Sequence, residues 1–225
     1  MTEAAWKTHH ALTADFPPRS FGRRGSRSQR AALVLGEQTL TWQQLDDRVA
    51  KTITVLRDLG VGVGDHIGLL LDNGFEYFEV AYAAAALEAA IVPIPPKSSV
   101  RELRTAFSVT DCLLVIAQTG AVLETATEAA RDTEVEVVAL DGGPDSFTER
   151  RDAAEPDHGT YAHDESATFY LALTGGTTGF PKACAITHRV QVQWWRLTAL
   201  EFDLKERDVH LAMAPLHHGL EFFFA

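Results

Sequence analysis

The sequence predicts an α/β fold in which mainly parallel β-sheets are layered with helices. Between residues 41 and 141, short apolar runs of strand length alternate with longer segments whose apolar residues recur every three or four positions. Strands and helices that alternate in this way favour parallel strands, because each crossover helix returns the chain to the same edge of the sheet. We therefore expect helices on both faces of the sheet.

The first helix is predicted in LTWQQLDDRVAKTITVLRDLG. Its apolar residues follow steps of three and four: Leu45, Val49, Ile53, Leu56 and Leu59. Thr41 and Gln44 have the spacing of a capping box at its start, and Gly60 is typical of a helix end.

The later elements follow the same alternation. Strands are predicted at 67–71, 91–94, 112–117 and 135–140, and helices at 75–89, 99–109 and 121–131. The glycines of GVGVGDHIG, residues 60–68, resemble a dinucleotide-binding fingerprint. That fingerprint follows a strand and opens a helix, whereas these glycines follow a helix and lead into a strand, so they indicate a turn.

Composition divides the chain into four segments. Residues 1–30 are predicted to be a flexible basic segment, because PPRSFGRRGSRSQR combines Pro, Gly and Ser with arginines. A solvated linker is the favoured interpretation of these arginines, and contact with phosphate or RNA is the alternative. Residues 31–141 form the first α/β lobe, 142–165 a connector with DGGPD and AEPDHG, and 166–225 the start of a second lobe.

Charge and cysteine content exclude several classes of protein. The net charge of −11 argues against a nucleic-acid partner. The apolar runs are shorter than the roughly 20 residues of a membrane span, and MTEAAWKTHH does not have the pattern of a signal peptide. Cys112 and Cys184 have no metal-ligand spacing, which favours reduced thiols. We expect a cytoplasmic protein with no membrane span.

The stretch LALTGGTTGFPKACAITH carries the strongest functional signal. Two strand-like runs, TFYLALT and KACAIT, flank a loop in which glycines allow backbone N–H groups to converge on an anion. Three threonine hydroxyls and one lysine add further donors and a positive charge. These are phosphate-binding groups: Thr174, Gly175, Gly176, Thr177, Thr178, Gly179 and Lys182. A hairpin that serves only as a turn is the alternative.

The loop does not have the Walker pattern. Pro181 precedes Lys182, and Ala183 rather than a hydroxyl residue follows it. A generic nucleotide-hydrolysing α/β protein is therefore a weaker interpretation, and hydrolysis of ATP to ADP without a carboxylic acid would favour it.

TGGTTGFPK, residues 174–182, resembles the signature loop of the adenylate-forming superfamily. That superfamily includes acyl-CoA and aryl-CoA synthetases, nonribosomal-peptide adenylation domains and firefly luciferase. The resemblance extends from about residue 31 to the C-terminus, and it includes IVPIPP, DCLLVIA, Thr187-His188 and PLHHG, residues 215–219. Ala183 and Gly175 depart from the commoner glycine and serine. The paired glycines are more similar to fatty-acid and aryl-acid activating members.

The resemblance implies a two-step reaction. A small-molecule carboxylic acid attacks Mg-ATP to give an acyl-adenylate and pyrophosphate, and a thiol of CoA or of a carrier-protein phosphopantetheine then takes the acyl group. The loop would stabilise the charge that develops on pyrophosphate. His218 matches the family position that borders the carboxylate and the α-phosphate, so it is the candidate catalytic residue, and His217 is the alternative. Trp194 and Trp195 would either line the acid pocket or pack in the core.

The resemblance also implies that the chain is incomplete. The adenine-binding segment, most magnesium ligands and the mobile C-terminal catalytic domain follow later in the family. HHGLEFFFA ends in apolar residues that suit continuation or a partner. We therefore expect an N-terminal portion of an adenylate-forming fold that is inactive without the remaining part of the enzyme. The alternative is a non-catalytic interaction module derived from the same fold, with this terminus as its docking surface.

Overall fold

The computed structural model describes residues 28–159, 161, 164–174, 182–205, 208–219 and 222. The strands are β1 (Ala31–Leu35), β2 (Gln38–Thr41), β3 (His66–Leu70), β4 (Ala90–Pro93), β5 (Cys112–Ala117), β6 (Glu136–Ala139), β7 (Thr168–Thr174) and β8 (Lys182–Thr187). The helices are α1 (Trp42–Asp58), α2 (Phe75–Ala86), α3 (Val100–Thr110), α4 (Ala121–Ala130), α5 (Phe147–Ala153) and α6 (His188–Glu201). A 3₁₀ turn covers Leu216–His218.

Six of these strands form one sheet in the order β6-β5-β3-β4-β7-β8. Its first five members pair in parallel, and β8 runs antiparallel to β7. Helices α1, α2 and α5 contribute to the apolar core on one face, and α3 and α4 to the core on the other. The predicted fold class, a mainly parallel sheet layered with helices, is confirmed.

Helix ends follow the capping signals closely. Thr41 Oγ1 accepts the backbone N–H of Gln44 at 3.2 Å, and the Gln44 side chain accepts that of Thr41 at 2.8 Å, as the capping box predicts. α3 begins with an equivalent box between Ser99 and Glu102. α2 ends at Ala86, three residues before the predicted position. Glu88, two residues beyond this end, adopts a left-handed conformation with φ of 56°.

The hairpin of β1 and β2 was not predicted from the sequence. Its two-residue loop pairs Leu35 with Gln38, and Gly36 takes a positive φ of 59°. Glycine at the first loop position suits a tight hairpin turn, because L-residues with a side chain rarely adopt that φ.

The segment 142–165, expected to be a connector, contains helix α5. Arg151 of this helix is 5% exposed, and its Nη1 lies 2.8 Å from Oε2 of the fully buried Glu79 of α2. Arg48 of α1 places its Nε 2.7 Å from Oε1 of the same carboxylate. Burial raises the pKa of Glu79, and the guanidinium groups of Arg151 and Arg48 oppose that shift. These ion pairs connect α5 and α1 to the same carboxylate of α2.

The strands on either side of segment 142–165 belong to the same sheet. β7 pairs with β4 through Ile91 and Tyr170, and β8 pairs with β7. The structure therefore differs from the expected separation into lobes at residues 31–141 and 166–225. Periodicity locates a strand, but which strand becomes its neighbour depends on packing far along the chain.

Phe222 lies in the core with 1% exposure. Its ring packs against four aromatic rings at centroid distances of 5.5 to 6.2 Å: Tyr77, Phe78, Phe169 and Tyr170. Phe222 is therefore not part of a docking surface, whereas Phe223 and Phe224 lie outside the described residues. In the described part of the chain, the helices are too short or too polar to cross a membrane. Cys112 and Cys184 are both free thiols.

Candidate active site

The two ends of the candidate phosphate loop meet at the carboxyl edge of the sheet. β7 runs parallel to β4, so Thr174 at its end lies at the edge where β3, β4 and β5 also end. Lys182 begins β8 and is the register partner of Thr174. Thr174 Oγ1 donates a hydrogen bond to the backbone carbonyl of Lys182 at 3.1 Å. Both ends of the loop are thus fixed to the same edge.

The central residues of the loop lie outside the described residues: Gly175, Gly176, Thr177, Thr178 and Gly179. Their assignment to phosphate binding stays a prediction. The structure places Thr174 and the exposed Lys182 at the base of the loop.

We expect a crevice beside this loop, because the direction in which successive strands are added to the sheet reverses between β3 and β4. The chain passes from β3 to β4 on one side, and β5 then pairs on the other side of β3. In open α/β sheets, ligands bind outside the carboxyl ends of the strands at such a reversal.

The 3₁₀ turn of Leu216–His218 lies at this reversal. Leu216 is 2% exposed, and the turn contacts β4. Asn73, three residues beyond the end of β3, donates from Nδ2 to the Ala214 carbonyl at 3.0 Å and accepts the Leu216 N–H at 2.8 Å. His217 and His218 are thereby placed at the same sheet edge as Thr174 and Lys182.

The two histidines differ in environment. Their ring centroids are 4.6 Å apart, His217 is half-buried and His218 is exposed. Burial lowers the pKa of His217, the neighbouring His218 lowers it further, and the charge of Asp72 opposes both. His218 therefore presents the more accessible of the two rings at this edge of the sheet. Gly219 ends the turn with a φ of 76°, which a residue with a side chain rarely adopts.

The first residues of α6 lie at the opposite edge of the sheet from Thr174, because Thr187 pairs with Thr168 at the start of β7. Thr187 caps the helix, since its hydroxyl accepts the Val190 N–H at 3.4 Å, and the His188 ring lies 5.4 Å from that of Phe169. Trp195 packs edge-on against Phe169 at 6.4 Å, which supports a core role, whereas Trp194 is 42% exposed. The Thr187-His188 pair therefore starts the helix that follows the loop, as its position in the sequence predicts.

Comparison with known proteins identifies the family. The model of the AMP-binding enzyme family matches residues 23–225. This chain belongs to the AMP-binding enzymes.

Two curated relatives show the range of AMP-binding enzymes to which the chain is similar. A long-chain-fatty-acid–CoA ligase of Thermus thermophilus is 28% identical over 210 residues and aligns with 91% of the chain. An L-proline–[L-prolyl-carrier protein] ligase of Pseudomonas fluorescens is 29% identical over 198 residues and aligns with 87%. The chain spans 39% of the length of each of these relatives.

Solved structures agree on the fold. The N-terminal domain of FACL13 from Mycobacterium tuberculosis superposes with a TM-score of 0.80 at 22% identity, over 93% of this chain and 53% of that one. A benzoate CoA ligase from Burkholderia xenovorans gives a TM-score of 0.79 at 20% identity, over 90% of this chain and 41% of that one. The chain thus has the fold of the N-terminal part of AMP-binding enzymes.

Asn73 is the site residue that sequence reasoning missed. It follows a fully apolar strand in LLLDNG, and a polar side chain directly after a buried parallel strand is the signal that could have found it. Its partners lie more than 140 positions away, at Ala214 and Leu216, so no local pattern identifies them.

Proposed function

We propose that the chain is part of an ATP-dependent acid–thiol ligase that activates a carboxylic acid as an acyl-adenylate. The observation that carries this proposal is the location of Thr174, Lys182 and the His217–His218 turn at the same carboxyl edge of the sheet. The family membership supports it.

The loop and the histidine turn would have different roles in this reaction. An oxygen of the acid attacks the α-phosphorus of ATP, a new P–O bond forms, and the bond to pyrophosphate breaks. Lys182 and the loop hydroxyls would stabilise the negative charge that accumulates on pyrophosphate. His218, at the same edge of the sheet, would border the carboxylate and the α-phosphate. The thiol of CoA or of phosphopantetheine would then displace AMP from the acyl carbon.

Mg²⁺ would accompany ATP and reduce the charge repulsion between the phosphates and the attacking carboxylate. We propose that its ligands lie mainly in the later part of the longer relatives, together with the adenine-binding segment and the C-terminal domain.

A fatty or aryl acid is the favoured substrate. The paired glycines of the loop support this choice, as do relatives named for long-chain fatty acids and for 4-coumarate. The relative named for L-proline makes an amino acid the competing class. Acid-dependent exchange of labelled pyrophosphate into ATP, measured with panels of fatty, aryl and amino acids, separates the three.

The exchange assay also tests the contribution of the segments that the longer relatives have beyond the region matched by this chain. We expect no exchange by the 225-residue chain alone and acid-dependent exchange by the protein that includes the later segments. Exchange by the chain alone would show that the later segments are dispensable for adenylation. Absence of exchange in both, with every acid, would refute the ligase assignment.

A non-catalytic interaction module is the second candidate, and exposed apolar residues supply the docking surface that it would need. Apolar residues on α6 and in the following segment are strongly exposed: Leu197, Leu200, Val209, Leu211 and Met213, at 66% to 92%. The later part of the enzyme would cover this face in a ligase, whereas an unrelated partner would cover it in a scaffold. The pyrophosphate exchange assay distinguishes the two.

A further inference from the structure

The Asn73 side chain acts on the backbone on both sides of Pro215. Its Nδ2 donates to the carbonyl of Ala214 at 3.0 Å, and its Oδ1 accepts the N–H of Leu216 at 2.8 Å. Pro215 itself has no N–H. One amide therefore bonds to the peptide groups that flank a residue unable to donate, as a neighbouring strand would do.

This arrangement couples the end of β3 to the histidine turn. Asn73 is separated from β3 by two residues, and Leu216 begins the turn. The His218 N–H donates to the Pro215 carbonyl at 3.1 Å, so the position of Pro215 also sets that of His218. Leu216 adds apolar contact with the core.

We propose that Asn73 is a positioning residue that sets the place of the His217–His218 turn at the carboxyl edge, and through it the alignment of the carboxylic acid. The second half rests on the proposed adenylation. Asn73 is itself exposed, so its bonds compete with water and contribute mainly to placement. Misplacement of a substrate by about 1 Å can cost about 100-fold in rate.

Kinetics of the catalytically active protein that contains this chain provide the first test. We expect Asn73→Ala to lower kcat/KM for the acid about 10- to 100-fold, with the KM for ATP within about twofold of the wild type. Asn73→Asp keeps the hydrogen-bond acceptor and loses the donor. Its kcat/KM for the acid should therefore lie between those of the wild type and Asn73→Ala. Gln38→Ala removes an exposed amide from β2 and is the matched control, with unchanged kinetics.

The proposal is overturned if Asn73→Ala keeps kcat/KM for the acid within twofold of the wild type. The proposal is also overturned if the KM for ATP rises together with the fall in kcat/KM for the acid, because that outcome indicates general loss of structure. If Asn73→Ala does not fold, the nearly isosteric Asn73→Asp decides the matter, because loss of the donor alone should still lower kcat/KM for the acid more than twofold.

An NMR titration of the histidine rings separates this proposal from the proposed function. In the described fold, burial and the proximity of His218 lower the pKa of His217. Release of the turn in Asn73→Ala should move the titration midpoint of His217 towards its ordinary value and shift the Leu216 amide signal. This measurement needs no catalysis. Unchanged signals refute the positioning role, whereas absence of acid-dependent activity in the wild type refutes only the ligase assignment.

Discussion

Arg151 and Glu79 form an ion pair of 2.8 Å in the interior, with 6% and 0% of their side chains exposed. Arg48 lies on the other oxygen of the same carboxylate, so three helices share one buried negative charge. Removal of one partner from a buried pair leaves a charge that neither water nor a second charge fully compensates.

Arg151→Met should lower the free energy of unfolding by about 3 kcal/mol, the lower end of the range for a broken buried pair, because Arg48 still faces Glu79. Urea denaturation followed by circular dichroism measures this change. The matched control is Arg150→Met, whose guanidinium is 37% exposed and should change stability by less than about 0.5 kcal/mol. Equal effects of the two substitutions would contradict a special role for the buried pair.

Phe222→Ala should destabilise the chain by about 3–5 kcal/mol, because it removes a fully buried ring from contact with four others. Phe202→Ala is the control with the same chemical change at a site that is 64% exposed, and its cost should stay below about 1 kcal/mol. Thermal unfolding of both variants gives the comparison. A small effect at Phe222 would mean that the aromatic cluster does not depend on this ring.

The pKa of His217 is expected to lie below its ordinary value of about 6.5. For a base with a depressed pKa in the folded state, the contribution to stability is present above the unfolded pKa and is lost as pH falls through the folded value. The free energy of unfolding should therefore decrease as pH falls below about 6.5. His217→Gln should remove this part of the slope.

Substitution of Asp72 tests the direction of the electrostatic effects on the pKa of His217. Its negative charge raises the pKa of His217, so Asp72→Asn should move the NMR titration midpoint of His217 to still lower pH. A shift to higher pH would contradict the arrangement of charges around the turn.

Replacement of Thr177 and Thr178 by alanine should lower kcat for pyrophosphate exchange about 100- to 1000-fold in the catalytically active protein, since donors to a developing charge act mainly in the transition state. The double substitution Thr125→Ala and Thr127→Ala is the matched control. Those two hydroxyls only donate to carbonyls within α4, at 2.7 and 2.8 Å. Exchange at the native rate after loss of Thr177 and Thr178 would refute the assignment of the loop to polyphosphate.

The parts of the fold that were predictable are those fixed by neighbours in sequence. The capping residues Thr41 and Ser99 start their helices where expected, because their hydroxyls bond to backbone only three residues away. The hairpin at Gly36 was missed because its strands are short and partly exposed, so alternation is weak there. Helix α5 was missed because seven residues give little periodicity, and its position depends on Glu79 of a distant helix.

The candidate site also contains one part that is predictable from neighbouring residues and one part that depends on a distant contact. The loop from Thr174 to Lys182 is evident in the sequence, because its residue types serve phosphate binding in one continuous stretch. The meeting of Asn73 with the His217–His218 turn is a long-range contact, and only the sheet topology brings it about.

The pairing of β7 with β4 also affects how the protein is made. The ribosome must add residues 94–167 after β4 has left it before β7 can cover that strand. At about 5–20 residues per second, this leaves the apolar edge of Ile91 and Val92 uncovered for several seconds. Nascent chains of this protein should therefore depend on chaperone protection until Tyr170 emerges from the exit tunnel.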